Sequence, residues 1–210
     1  MSSRGFTLVE MLVVMTISAI LIAAAVPSFQ WMITRNRISD ATNLLLSNLE
    51  YARMEASRLG NTVSICRTLD ANANPPICSS AATGTFDGND WASGWVVFEK
   101  IPPNGDETAF EVGPPSDRVI FRQQAADGQN ARVMIHSNIA PARVAYQPRG
   151  TGGIFGAGTF AITYGQVPTP AVGTRALGAI PLTNAGRCIP ITLIGSLRIA
   201  RAGTGPCPAP

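Results

Sequence analysis

Met1-Ser-Ser-Arg-Gly5-Phe6-Thr-Leu-Val-Glu10 leads directly into an apolar run that continues to Val26, with Glu10 the one carboxylate inside it. Placing an acid in the middle of a membrane helix costs roughly 2.5–3.5 kcal/mol, so a partner or a function must compensate for it. The run from Phe6 to Val26 is long enough to cross a bilayer as a helix, at about 1.5 Å of rise per residue. A cleavable secretory signal has an apolar region of about 7–15 residues followed by small residues at the cut. Here the short polar leader precedes the apolar run and no such break follows before Pro27, so the run is expected to stay in the mature chain.

Working outward, the helical period continues past Pro27. Ile38, Ala41, Leu45, Leu49, Ala52, Ala56 and Leu59 recur at steps of three and four and define one face, while Arg37, Asp40, Asn43, Glu50 and Arg58 occupy the others. Gly60 supplies a C-terminal stop. The pattern predicts one helix from Phe6 to Leu59, approaching 80 Å at about 1.5 Å per residue, with a local opening at Pro27. A helix of that length needs partners beyond one small domain.

After Gly60 the pattern turns to short alternating runs separated by Gly, Pro, Asn and Asp. Strands are expected at Thr62–Arg67, Gly94–Glu99, Arg118–Phe121, Arg132–His136, Arg143–Tyr146, Gly158–Tyr164, Cys188–Ile194 and Leu197–Ala202. Turns are expected at Asp87-Gly88, Asn104-Gly105-Asp106, Asp127-Gly128 and Gly195-Ser196. Asp70–Asp90 and Gln166–Asn184 read as surface loops. Charged residues make up 14% of the 210, beside 20 Gly and 16 Pro, which suits a turn-rich β domain better than a helical bundle. The fold class is therefore α+β: a long N-terminal helix, transmembrane in its first half and amphipathic in its second, packed on an antiparallel β-sandwich-like domain. The expected divisions are residues 1–5 as a leader, 6–29 as the membrane and filament-core helix, 30–60 as its amphipathic half, and 61–210 as the β domain. Arg4 on the short N-terminal side favours keeping that end cytoplasmic.

The stretch Gly5-Phe-Thr-Leu-Val-Glu10 resembles the leader of type IV pilins and type II secretion pseudopilins. That resemblance implies cutting between Gly5 and Phe6 by a prepilin peptidase and N-methylation of Phe6. It also implies that Glu10 faces the terminal amine of a neighbouring subunit in the filament. Two charges in a low-dielectric core stabilise each other only when paired, so Glu10 would penalise docking out of register. Further motifs narrow the resemblance: Arg53-Met-Glu55-Ala56, Val63-Ser-Ile-Cys66, Trp91-Ala-Ser-Gly94-Trp95-Val-Val-Phe98, and a Gly-rich segment around Gly150–Phe160. Together they resemble the GspH/FimT family of minor pilins and pseudopilins. The family implies major and minor pilins and an inner-membrane assembly platform as partners. It also implies residence in the inner membrane with a periplasmic C-terminal domain, then export in the pilus. A pseudopilin of type II secretion is the alternative reading.

Four cysteines allow three connectivities. Cys66–Cys78 with Cys188–Cys207 closes two short loops and is the favoured pairing for an oxidising periplasm. No CxxC spacing and a single His136 argue against a metal site, and no cofactor is expected. An enzyme, the third class considered, would need a nucleophile, a base and an orienting group; His136 stands without a recognisable set of these. Trp91 and Trp95 read as core residues rather than ligand contacts.

Charge is unevenly placed. Residues 1–127 carry nine basic and all 13 acidic side chains, a balance of −4, whereas residues 128–210 carry seven arginines and no acid. Arginine outnumbers lysine fifteen to one, and its planar fork suits phosphate oxygens. Sequence-independent capture of double-stranded DNA would use such a surface. FimT-like pilins implicated in DNA uptake carry Gly-Arg-x-Arg in the C-terminal tail. Gly195-Ser-Leu-Arg198-Ile-Ala-Arg201 resembles that segment only in part, with Gly186-Arg187 apart from it. Arg187, Arg198 and Arg201 are the candidate contacts, although Arg198 and Arg201 would point to opposite faces of one strand. The competing reading is that these arginines solubilise a hairpin or touch neighbouring subunits.

Overall fold

A computed structural model describes residues 7–81, 90–102, 109–112, 116–124, 133–139, 143–148, 158–164, 186–192 and 194–201, apart from the side chains at 24 and 26–28. The expected turns at Asp87-Gly88, Asn104-Gly105-Asp106 and Asp127-Gly128 lie outside these residues. Helix α1 spans Leu8–Leu59, and its assignment passes position 27 without a break. Thr7 precedes it and its hydroxyl accepts the Glu10 backbone N–H at 3.3 Å, so Thr7-x-x-Glu10 has the spacing of a capping box. At the other end Gly60 takes φ 72°, a left-handed conformation that needs glycine, and its N–H bonds to the Ala56 carbonyl at 3.1 Å.

The chain divides into two compact units, Met1–Arg37 and Ile38–Pro210. In the first, the large apolar side chains from Leu8 to Ile33 that are described are exposed. The apolar run is described only in part, because Phe6 and the side chains at 24 and 26–28 lie outside it. Among the described residues no helix is long and apolar enough to cross a membrane.

In the second unit, Ile38, Ala41, Leu45, Leu49, Ala52 and Ala56 form the buried stripe of α1. Among the described residues eight strands follow: β1 Val63–Arg67, β2 Gly94–Glu99, β3 Arg118–Gln124, β4 Val133–Ser137, β5 Arg143–Tyr146, β6 Gly158–Tyr164, β7 Arg187–Ile191 and β8 Ala200–Arg201. They make two four-stranded sheets with antiparallel neighbours, ordered β3-β2-β1-β5 and β4-β6-β7-β8. The period of two delivers alternate residues to one core with the helix stripe: Val63 and Ile65, Trp95 and Val97, Val144 and Tyr146 from the first sheet. The second sheet contributes Val133 and Ile135, Phe160 and Ile162, Ile189 and Ile191. Trp91 meets Phe160 edge-on, with centroids 5.0 Å apart. Gly158 is required by close approach, since a Cβ there would overlap Ile139.

The other face of the first sheet is covered too. Cys66, Val96 and Phe98 pack under Cys78, Phe110 and Val119. Disulfide Cys66–Cys78 pins the segment 68–81 over this face. Cys188 is also disulfide-bonded, while Cys207, its expected partner, lies outside the described residues.

One residue links the sheets. The Asp90 carboxylate accepts the backbone N–H of Ala92, capping a short 3-10 turn at Trp91–Ser93, and that of Ile135 in β4, each at 3.0 Å. Its carbonyl accepts Nε of the fully buried Arg67 in β1 at 2.7 Å. Arg67 Nη1 also donates to the carbonyls of Ser79 and Ala81, which gives this buried cation acceptors.

The last two strands are shorter than their sequence suggests. β7 stops at Ile191 because the Thr192 hydroxyl accepts the Ser196 N–H at 3.1 Å and starts the turn early. Gly195 sits in that turn at φ 73°, where a Gly-Ser turn is expected. Leu197 bridges Ile191 before β8 begins at Ala200.

Candidate functional site

Two regions contain the residues singled out from the sequence. The first is the start of α1. Gly5 and Phe6 lie outside the described residues, and Glu10 stands exposed in the first helical turn. Along the same unit Leu8, Val9, Leu12, Ile17, Leu21 and Ile22 are all at least half exposed. Burying such a side chain is worth roughly 1.5–3 kcal/mol, so this surface favours assembly with apolar partners. At its far end the Arg35 guanidinium lies 5.3 Å from the centre of the Trp31 ring, a cation–π pair the sequence reading did not anticipate. The i,i+4 spacing of Trp31 and Arg35 could have signalled it.

The second region is the C-terminal arginines. Strand register sets Arg187 of β7 directly opposite Arg201 of β8. Cross-strand neighbours share a face, and like charges there repel unless an anion or acid lies close. Arg198 is exposed and lies outside any strand, so the alternation argument separating it from Arg201 does not apply. It lines a groove of about 550 Å³ with Thr159, Thr192, Ser196 and Leu197. The turn bearing it is anchored to the helix, since Arg53 Nη1 donates to the Gly195 carbonyl at 3.1 Å. The pairing of Arg187 with Arg201 depends on a strand register that one sequence does not reveal.

Electrostatics elsewhere is structural. Arg58 holds the Glu55 carboxyl below its usual value through three short hydrogen bonds, and Glu55 raises Arg58 in turn. Burial pushes the Tyr146 phenol well above its ordinary range, against the lowering effect of Arg53. Lys100 and Asp117 form a buried pair at 2.7 Å, with Lys100 Nζ also donating to the Ala109 carbonyl. His136 lies in β4, where its backbone bridges Asp90. Trp91 and Trp95 are fully buried, consistent with core packing. Among the described residues no group of three or more His, Cys, Asp or Glu could hold a metal ion.

Comparison with known proteins supplies the family. A family model described as type II transport protein GspH matches residues 41–180, and one described as the prokaryotic N-terminal methylation motif matches residues 1–26. No curated protein matches the chain at significance. Among solved structures the chain is similar to the Pseudomonas aeruginosa (strain PAO1) type IV minor pilin FimU in two crystal forms. The P21 form is 20% identical, covering 79% of this chain and 90% of that one with a TM-score of 0.46. The P65 form is 18% identical, covering 77% and 91% with a TM-score of 0.43. With two-thirds of its length under one family model and the methylation motif at its start, this chain belongs to the GspH family of minor pilins and pseudopilins.

Proposed function

We propose that the chain is a minor type IV pilin. A prepilin peptidase removes residues 1–5 and methylates Phe6, and the apolar helix holds the subunit in the inner membrane with its β domain in the periplasm. The subunit then enters the pilus, near its tip, through packing of that helix against major and minor pilins. The observation that supports this best is the methylation motif on a helix whose apolar side chains are exposed and whose one early charge is Glu10. The work is structural rather than catalytic.

N-terminal sequencing of the chain recovered from sheared filaments tests it. N-methylphenylalanine corresponding to Phe6 is the expected first residue; any other mature start rejects the processing, and absence from filaments rejects the pilin assignment. A minor pseudopilin of type II secretion is the second reading, favoured by the description of the family model over residues 41–180. Deleting the gene separates them, because loss of protein secretion with intact pili supports the pseudopilin.

DNA capture is an added role within the same reading, supported by the cross-strand Arg187 and Arg201 and by the acid-free C-terminal region. Each neutralised phosphate contributes a slope of about −0.9 to the salt dependence of binding. A mobility-shift titration of duplex DNA with the full chain in detergent should show that slope fall by roughly one unit for each of Arg187→Gln, Arg198→Gln and Arg201→Gln. Unchanged migration at low salt rejects the role.

A further inference from the structure

The outer face of the first sheet carries a groove of about 630 Å³, separate from both regions above. Pro75, Ile101, Phe110, Val112 and Val119 supply its apolar lining, and Arg122 lies within it. Val119 and Arg122 are three apart and would face opposite sides of a regular strand. A register shift resolves this: Phe121 pairs with Val97 while Val119 pairs with Phe98, leaving Ile120 as the extra residue. The bulge turns both side chains to the same face.

Arg122 is fixed by its own surroundings. Its Nη1 donates to the carbonyls of Ala71 and Ala73, each at 2.7 Å. Among the described residues Nε and Nη2 have no partner, and no carboxylate pairs with this guanidinium. The nearby charges are already matched: Asp117 is bound by Lys100 at 2.7 Å and Arg118 by Glu99 at 2.6 Å. The groove therefore combines apolar side chains with the polar Asn74 and Ser116, a matched Asp117 and Arg118, and the oriented Arg122 guanidinium. It runs beside β3, which among the described residues is an edge strand paired with β2.

We infer that this groove binds an extended segment of a partner protein in which a Glu or Asp is flanked by apolar side chains. The acid meets the open side of the Arg122 fork, the form of pairing guanidinium makes best with a carboxylate. The flanking side chains enter the apolar lining, and the edge of β3 offers main-chain hydrogen bonds, as in strand addition. Charge complementarity selects this occupant over a second copy of the C-terminal region, whose residues 128–210 contain no acid. The inference does not depend on DNA capture or on the choice between pilus and secretion system.

The test uses the full chain in detergent micelles and a blocked, fluorescein-labelled peptide, Ser-Thr-Val-Glu-Val-Thr-Ser, read by fluorescence polarisation. A second peptide replaces the Glu with Gln. The Glu peptide is expected to bind about tenfold tighter than the Gln peptide, a preference within the range of one charge-assisted hydrogen bond. Arg122→Gln should erase that preference. Because Arg122 also holds residues 71 and 73, Val112→Glu is the second variant: it is exposed in the lining and should weaken the Glu peptide more than the Gln peptide, shrinking the preference. Binding should be unaltered by Arg187→Gln combined with Arg201→Gln. Failure of the Glu peptide to bind, equal affinity for both peptides, or a preference that survives Arg122→Gln or follows Arg187 and Arg201 instead would overturn the proposal.

Discussion

Leu12 and Leu21 are 55% and 65% exposed, whereas Leu45 and Leu49, farther along the same helix, are fully buried. The four residues are chemically identical, so the difference lies in what surrounds them. Between Ile38 and Ala56 the chain brings two sheets to the apolar stripe, and each buried Leu contributes roughly 1.5–3 kcal/mol to folding. Between Leu8 and Ile33 apolar side chains occur all round the helix, and the large ones described are exposed. A polar-and-apolar pattern belongs to a helix completed by its own chain. An apolar pattern interrupted by one acid belongs to a helix completed by others.

The strongest way to break this contrast is at Glu10. Glu10→Gln preserves the capping pattern with Thr7, because Gln also serves in that position, yet removes the charge. Its expected outcome is loss of the chain from sheared filaments as complete as for Glu10→Ala, with membrane retention intact. Recovery of normal incorporation by the Gln variant would assign Glu10 to helix capping alone.

Next comes a matched pair of truncations. Leu49→Ala should destabilise the second unit by about 2–5 kcal/mol in denaturant unfolding followed by tryptophan fluorescence. Leu21→Ala should leave that transition where it was. Equal losses from both would dissolve the distinction between the two halves.

A somewhat smaller effect is expected at the disulfide. Replacing Cys66 and Cys78 together by Ser should cost about 2–4 kcal/mol, as expected for a short closed loop, and should expose residues 68–81 to protease. Smaller still is the last-turn pair Glu55 and Arg58. Because Arg58 depresses the folded carboxyl, the pair stabilises the chain above the unfolded carboxyl value of about 4.5, and that contribution fades as pH falls through the lower folded value. Arg58→Gln should flatten this part of the acid limb in a pH series of melting temperatures by lowering stability slightly at neutral pH, and leave it unchanged below the folded carboxyl value.

The helix and its buried stripe were legible because period and stop signal agree over many turns: Ile38, Ala41, Leu45, Leu49, Ala52 and Ala56 are all buried and Gly60 ends the run. The strands were legible from alternation, with errors concentrated at the ends. Thr192 shows why: a hydroxyl competing for the backbone starts a turn inside an apolar run. Contacts between distant strands left no local signature. Arg187 facing Arg201 needs the register of β7 with β8, and Val119 sharing a face with Arg122 needs a bulge that alternation denies. The pairing of Cys66 with Cys78 was readable from their spacing. Burial of Arg67 was not, since its acceptors lie 12 to 23 residues away.

Asp90 fastens both sheets through a single residue, by its carboxylate on one side and its carbonyl on the other. Neither layer can therefore peel away without a loss at Asp90: withdrawing β4 takes the Ile135 N–H from its buried carboxylate, and withdrawing β1 takes the Arg67 donor from its carbonyl. The folded body should melt in one step, and under mechanical tension a subunit would hold until it ruptures rather than yielding strand by strand.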